Sequence, residues 1–456
     1  MAYNFLAADR DQLLLLPPSL AEWLPEDHLA YFIIDAVEEM DLDAFYAEYR
    51  ADGWGGAAHD PKVMVALVLY AYCLGVRSSR QIERACHVDV AFRVIAANTG
   101  PDHTTIARFR SRHEGSLKTI FAAALALCAR AGMATVGLVV LDGTKIAAAA
   151  ASSANRSAAH IAAQVEAMLA EAAAADAAED AEFGPSRGDE SPAALRGRTE
   201  RRRRFAEAKA RLDAEQAARC ADYEAAMAAR AAEEARRGQK IKGRKPKPPR
   251  PRPDAKANTT DADSRQQRSF HGYLQGYNAQ AVANENQVIL AAEVTNDQND
   301  FGRLHPMIAA TKESLAAAGI TEPAGVLLAD AGYCTEDNLA DLGPADPDCY
   351  IATRNRRFGT SPTPGRSPDL EHTAAMDTKL SSLTAQGLYR RRAQIIEPIF
   401  GQIKETRGFR RFKRRGQSAV DSEWKLETAC HNLLKLYRRV LVDASVAPYS
   451  RLAVRA

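Results

Sequence analysis

The sequence lacks the features that mark small stapled, exported or membrane-spanning proteins. Its seven cysteines are scattered without a Cys-x-x-Cys pair, which argues against a structural zinc site and a disulfide framework. No uninterrupted apolar run reaches the roughly 18 residues that a membrane helix needs. The N-terminal segment also lacks the basic-then-apolar pattern of a signal peptide. We therefore expect a cytoplasmic protein with no membrane partner.

Aromatic residues and net charge are scarce as well. Aromatic side chains make up 7% of the 456 residues and the formal net charge is +2, so the overall balance favours no class of partner. The basic residues are clustered, however. Nine of them, with no acidic residue, lie at 236–252, and seven with one glutamate lie at 404–415. Such blocks indicate contacts with phosphate groups, although a solvated linker or an exposed helix face would also explain them.

Residues 1–135 have the pattern of several short helices. Asp60-Pro61 is typical of a helix start, a second helix is predicted at 79–88, and a third helix after Pro101 carries three arginines. Short helices that end in a basic one predict a helix-turn-helix-like DNA-binding region. A helical packing or dimerisation region would give the same pattern.

The pattern changes at Gly137, where four apolar residues predict a buried strand that ends in Asp142. The later predicted elements are a hairpin at 277–282 and 287–294, a helix at 304–318, strands at 325–329 and 349–353, a loop at 354–370 and a helix at 388–405. This order predicts an α/β sheet domain.

Between the first strand and the rest of the sheet lies a segment rich in Ala, Glu, Arg and Gln, at 158–258. It predicts a helical hairpin of 161–182 and 199–237, followed by a basic, proline-rich connector. The predicted division is a helical region at 1–135, the first core strand at 136–157, a helical insertion at 158–258, the remainder of the sheet domain at 259–430, and a C-terminal helix and tail at 431–456.

Three carboxylates carry the strongest chemical signal. Asp142 and Asp330 each follow a predicted strand, and residues just past the carboxyl ends of adjacent strands meet at one edge of a sheet. Glu397, on the late helix, completes a set of three oxygen donors. Such a set suits Mg²⁺ or Mn²⁺ and predicts two-metal phosphoryl transfer. Taken singly, each carboxylate has a simpler explanation as a capping or surface residue, so the prediction rests on all three.

The second basic block interleaves aromatic and basic side chains. Phe409 and Phe412 alternate with arginines and a lysine over 406–415. This pattern favours phosphate contacts combined with base stacking, and a solvated basic helix end is the alternative.

The sequence resembles the DDE transposases of bacterial insertion sequences, over nearly its whole length. The segments that carry the resemblance are 141–145, 276–280, 328–333, 397–404 and 407–412. Tyr389, Arg392, Glu397 and Lys404 are similar to the family's Tyr–Arg–Glu–Lys signature. Four residues separate Arg392 from Glu397 where the commonest form has three, so Arg390 and Arg391 are alternatives for the arginine.

The resemblance implies an α/β RNase H-like catalytic core, with an N-terminal all-α DNA-binding domain and a long helical insertion after the first core strand. It implies that Asp142, Asp330 and Glu397 are catalytic and bind two Mg²⁺ or Mn²⁺ ions. The DNA-binding residues expected from the signature and the basic block are Tyr389, Arg392, Lys404, Arg407, Arg410, Arg411 and Lys413.

The implied activity is binding of the element's terminal inverted repeats, cleavage of double-stranded DNA and joining of the ends to target DNA. The implied assembly is a homodimer or a larger synaptic complex. Two alternatives remain open at this point: a catalytically silent DNA-binding repressor derived from such an enzyme, and a metal-dependent nuclease without a joining step.

Overall fold

A computed structural model gives the fold. The residues it describes are 19, 22–50, 57–183, 193–241, 243, 245–269, 272–353 and 370–443. Residues 354–369 of the predicted loop lie outside them. None of the helices in the described ranges is long and apolar enough to span a membrane.

Short helices fill the N-terminal part of the chain, as predicted. They are α1 (Leu29–Glu38), α2 (Asp43–Tyr46), α3 (Pro61–Cys73), α4 (Ser79–Val88), α5 (Val90–Ile95), α6 (His103–Arg112) and α7 (Glu114–Arg130). Asp60, Asp89 and Asp102 accept hydrogen bonds from backbone N–H groups in the first turns of α3, α5 and α6. These aspartates satisfy donors that have no partner within the helix, which fixes where each helix begins.

The sheet contains six strands in the described residues. They are β1 (Leu138–Ala147), β4 (Arg265–Ser269), β5 (Gly272–Asn284), β6 (Ile289–Thr295), β7 (Val326–Ala329) and β8 (Asp348–Ile351). The strands β1, β7 and β8 run parallel, whereas β5 is antiparallel to β1, β4 and β6. The predicted hairpin is confirmed as β5 and β6, and α10 (Leu304–Ala317) follows it.

The first strand is longer than predicted. It does not end before Asp142, because β5 pairs with it from Val139 to Ala147. Its parallel pairing with β7 is shorter and stops where Leu141 lies opposite Ala329. The predicted strand end therefore corresponds to the end of the parallel pairing, not to the end of β1.

The predicted insertion forms a helical hairpin of α8 (Ala158–Phe183) and α9 (Ala193–Arg237). A two-stranded ladder of β2 (Asn155–Ser157) and β3 (Lys256–Asn258) closes its base. The hairpin has a small core of its own around Ile161, Phe205 and Ala208. It is thus a separate layer attached to the sheet domain at both of its ends.

The C-terminal part adds α11 (Glu336–Ala340), α12 (Glu371–Lys379), α13 (Leu383–Gly401), a π-helical turn at Gln402–Thr406 and α14 (Gln417–Val442). The long helix α14 packs along α7, α3 and β6, so the N-terminal helices share one hydrophobic core with the sheet. The predicted boundary between 430 and 431 is wrong because it cuts through α14. Buried polar residues such as Glu423, Glu427 and Asn432 interrupt the apolar spacing from which the extent of this helix would be predicted.

Candidate active site

Asp142 and Asp330 lie side by side at one edge of the sheet. Leu141 of β1 is paired with Ala329 of β7, and the next residue along each strand is the aspartate. The backbone N–H of Gly143 donates to Asp142, and that of Gly332 donates to Asp330, each at 2.8 Å. The parallel ladder thus brings the two predicted aspartates together, although about a hundred residues of insertion separate them in sequence.

The surroundings of Asp142 disfavour an unneutralised charge there. Burial raises the pKa of Asp142 to about 6, the guanidinium of Arg392 opposes this shift, and the negative charge of Asp330 adds to it. Two carboxylates this close repel each other unless cations neutralise them. This edge of the sheet therefore favours binding of a positive charge.

Arg392 of α13 supplies one such charge. Its Nη1 donates to Oδ2 of Asp142 at 2.8 Å. Of the two other candidate arginines, Arg391 pairs with Glu285 and Arg390 is exposed. Tyr389, three residues before Arg392, donates its hydroxyl to the carbonyl oxygen of Ala329 at 3.1 Å. The structure places Tyr389 and Arg392 of the signature at the site and shows which of the three arginines reaches it.

Two lysines extend the positive side of the site. Lys404, in the π-helical turn, donates its Nζ to the carbonyl oxygen of Lys145 at 3.0 Å. Lys145 lies three residues after Asp142 on β1, and its Nζ lies 4.0 Å from Asp300. Burial lowers the pKa of both lysines. Cationic side chains therefore reach the Asp142 end of the site from β1, from α13 and from the turn after it.

Glu397 is not brought to the two aspartates. It lies on α13, five residues after Arg392, and its side chain is exposed. Across the ranges that the structure describes, no three acidic, histidine or cysteine side chains are close enough together to hold a metal ion. The predicted cluster of three carboxylates is therefore not assembled in this conformation, because Glu397 faces outward from α13.

A third carboxylate at this edge, Asp300, was missed by the sequence analysis. Its Oδ1 accepts hydrogen bonds from Asn278 Nδ2 at 2.6 Å and from Gln280 Nε2 at 2.7 Å. Gln280 in turn accepts a hydrogen bond from the Tyr333 hydroxyl. The only signal in the sequence was a polar run between β6 and α10, which is equally typical of a loop.

The donors at this edge fit a hard divalent cation. Asp142 and Asp330 present carboxylate oxygens, the ligands that Mg²⁺ and Mn²⁺ prefer. Asn278 adds a buried side-chain oxygen, Oδ1, that has no hydrogen-bond partner in the described structure. Arg392 holds one oxygen of Asp142, Oδ2, so a cation bound by that oxygen would compete with this guanidinium.

The basic loop, residues 407–415, follows the π-helical turn. Its structure contradicts part of the predicted contacts with DNA. Arg407 is buried and paired with Glu427, so its predicted contact with DNA is wrong. Phe409 and Phe412 are fully buried in the core, which rules out their predicted stacking on bases. Arg410, Arg411 and Lys413 are exposed, as a DNA contact requires. The loop is anchored at the end of β1 by backbone hydrogen bonds between Ala147 and residues 410 and 412.

Two family models match the chain. A transposase domain, DUF772, matches residues 18–112, and a transposase DDE domain matches residues 343–437. The chain belongs to the DDE transposases of insertion sequences. The first match covers most of the N-terminal helices of this transposase, and the second covers Tyr389, Arg392, Glu397 and Lys404. Asp142 and Asp330 lie between the two matches. No curated protein and no solved structure matches the chain.

Proposed function

We propose that this transposase binds the terminal repeats of its element and catalyses metal-dependent cleavage and strand transfer, with Asp142, Asp330 and Glu397 as the metal-binding carboxylates. The observation that supports the proposal most is the pairing of Asp142 with Asp330 at the end of the parallel ladder. Two bound Mg²⁺ or Mn²⁺ ions would activate the attacking oxygen and stabilise the leaving oxygen.

The sheet supports an RNase H-like core within this proposal. Its strands lie in the order β4, β5, β1, β7, β8, and β6 also pairs with β5. The strand β5 is antiparallel to its neighbours, whereas β1, β7 and β8 are parallel to one another. In such a sheet, chemical groups gather at the carboxyl ends of the parallel strands near the central strand. Asp142 on β1 and Asp330 after β7 occupy those positions.

Arg392 compensates the charge of Asp142. Its guanidinium pairs with one carboxylate oxygen, which lowers the repulsion between Asp142 and Asp330. With a metal ion on Asp142, Arg392 would be available to contact the DNA backbone. Glu397 lies on the same helix, five residues after Arg392, and would complete the metal-binding carboxylates if α13 turned it towards the aspartates.

The DNA surface in this proposal is formed by exposed cations. In the basic loop these are Arg410, Arg411 and Lys413, and Tyr389, Arg392 and Lys404 position the element end at the site. The insertion contributes as well. A cavity of about 580 Å³ lies between α9 and the basic loop, and the arginines that line it are Arg203, Arg204, Arg211 and Arg415. Acidic residues of the same cavity neutralise part of this charge, so the insertion contacts DNA less strongly than the loop.

The N-terminal helices carry terminal-repeat recognition and dimerisation in this proposal. Arg108 and Arg112 of α6 are exposed, whereas Arg110 is held within the fold by Ser79 and the carbonyl of Arg77. The exposure of two of the three predicted arginines supports their contact with DNA in this proposal. A homodimer or a larger assembly is needed because transposition joins two element ends.

A strand-transfer assay with the element's own ends and Mg²⁺ tests this function. Wild type is expected to cleave and join, while Asp142→Asn, Asp330→Asn and Glu397→Gln bind the ends but do neither. The matched control is Asp341→Asn, which removes an exposed carboxylate after α11 and is expected to behave as wild type. Cleavage without joining by wild type would favour a nuclease. Binding without any reaction in Mg²⁺ or Mn²⁺ would favour a repressor.

A further inference from the structure

We propose that Asp300 is a positioning residue for the Asp142–Asp330 pair. It lies between β6 and α10, accepts hydrogen bonds from two side chains of β5, and lies 4.0 Å from the ammonium of Lys145 on β1. The inference rests on the proposed function, because it assigns Asp300 a part in the same reaction. It adds a residue that lies outside both matched segments and outside the predicted trio.

The contacts of Asp300 join two strands at one point. One carboxylate oxygen accepts hydrogen bonds from Asn278 and Gln280, which are both buried on β5. Hydrogen bonds to an ionised acceptor are stronger than those between neutral groups. On the β1 side, the ammonium of Lys145 lies 4.0 Å from the same oxygen. Asp300 therefore orients two side chains of β5 and faces the ammonium of Lys145 on β1, close to Asp142.

The glycines at the site show how close Asp300 lies to the reacting edge. A Cβ atom at Gly143 would lie 2.9 Å from Oδ1 of Asp300, and a Cβ atom at Gly332 would lie 3.3 Å from its Oδ2. These glycines follow Asp142 and Asp330 by one and two residues. Asp300 thus occupies space next to both glycines, and a Cβ atom at Gly143 would collide with it.

Asn278 gives an independent indication of a ligand. It is fully buried and donates its amide N–H to Asp300, while its Oδ1 has no hydrogen-bond partner among the described residues. That oxygen would lie 2.9 Å from a Cβ atom at Gly143, so it lies beside the residue that follows Asp142. Buried acceptors without a partner are uncommon, and Asp300 holds this one through the amide group of the same side chain.

The expected effect of Asp300 is on metal affinity. Residues that orient metal ligands typically change metal affinity by about 10- to 100-fold when they are replaced. Asp300→Ala removes both the acceptor for the amides and the charge that faces Lys145, so it is expected to raise the Mn²⁺ dissociation constant by about tenfold or more. Asp300→Asn keeps an acceptor oxygen but loses the charge, and a rise of about three- to tenfold is expected.

The experiment measures Mn²⁺ binding to the full-length protein by calorimetry without DNA, and the Mn²⁺ concentration that gives half-maximal cleavage. Thermal melting and binding to element ends report folding. The matched control is Asp297→Asn, which removes a carboxylate from the same loop that pairs with Arg303. Wild-type Mn²⁺ affinity in the Asp300 variants, equal to that of the control, would overturn the inference.

Two further comparisons cover a variant that is too unstable to measure and a failure of the proposed function. If Asp300→Ala melts early, the Asp300→Asn variant decides: a rise of about threefold or more supports the inference, and a value equal to the control overturns it. Asp142→Asn separates this inference from the proposed function. Loss of Mn²⁺ binding in Asp142→Asn but not in the Asp300 variants refutes only the role of Asp300. Wild-type binding and joining by Asp142→Asn refutes the proposed function itself.

Discussion

Glu427 is the buried centre of an ion-pair cluster that joins the N-terminal helices to the C-terminal part of the chain, and its replacement is expected to destabilise both. Its Oε2 accepts from Arg77 Nε at 3.1 Å, and its Oε1 accepts from Arg407 Nε at 2.8 Å. Arg77 also donates to the carbonyl oxygen of Arg407 at 2.9 Å. All three side chains are buried, so water cannot replace the lost contacts.

The size of the effect follows from these contacts. Removing one partner of a buried ion pair costs about 3 to 5 kcal/mol, because the remaining charge stays buried without compensation. Glu427→Ala leaves two guanidinium groups in this state, so we expect a loss at the upper end of that range. At about 1 °C for each kcal/mol in a chain of this length, a loss near 5 kcal/mol lowers the melting temperature by about 5 °C.

Thermal melting of Glu427→Ala and the nearly isosteric Glu427→Gln measures this effect. Glu48→Ala is the control, since Glu48 forms an exposed ion pair with Arg112 at 3.6 Å and exposed pairs contribute about 1 kcal/mol or less. Both Glu427 variants are expected to melt well below the control. A melting temperature of Glu427→Ala within about 1 °C of the control would refute the reasoning, since this corresponds to less than about 1 kcal/mol.

Three further predictions concern the site, the basic loop and the core. Without DNA, Arg392→Ala is expected to bind Mn²⁺ more tightly in calorimetry, because the guanidinium no longer competes for Asp142; weaker binding would contradict the proposed exchange. Arg411→Ala or Lys413→Ala should lower the slope of log affinity for element ends against log salt concentration by about 0.9 per lost phosphate contact, and an unchanged slope would exclude that residue from the interface. Burial lowers the pKa of His431 to about 3. Because the unfolded state then binds the extra proton, stability falls as pH drops from about 6.5 towards 3, by about 2 kcal/mol at pH 5. His431→Gln should lose correspondingly less stability between pH 7 and pH 5, and equal losses would contradict the assignment.

The meeting of Asp142 and Asp330 was predictable because it depends on local sequence and a general rule. Each aspartate follows a short apolar run, and parallel strands deliver the residues after such runs to one edge. The order of strands and helices along the chain and the helical hairpin of the insertion were also predictable from local sequence. Hydrophobic periodicity and helix-start residues determine them locally.

The basic loop shows where local pattern fails. Alternating basic and aromatic residues suit a nucleic-acid surface and a folded core equally well, and the sequence does not say which side chains point inward. Phe409 and Phe412 pack beside Trp424 and Tyr277 in the core. Arg407 turns inward because Glu427, on another helix, compensates its charge.

Two features of the site depend on tertiary contacts that no local signal carries. Asp300 lies in a polar segment typical of any loop, and only the approach of Asn278 and Gln280 distinguishes it from its neighbours. Glu397 was predicted at the site, but its position depends on the rotation of α13, which contains Pro398 and continues into a π-helical turn. Such irregular turns shift the helix face and are frequent at functional sites.

A metal-specificity switch tests whether Asp142 and Asp330 bind the metal ions in the proposed reaction. Cysteine in place of either aspartate supplies a thiolate, which Mg²⁺ binds poorly and softer ions bind better. Cleavage of element ends by Asp142→Cys and Asp330→Cys is therefore expected to be lost in Mg²⁺ and to return at least in part in Mn²⁺. Wild-type cleavage and joining by either variant in Mg²⁺ would contradict the account.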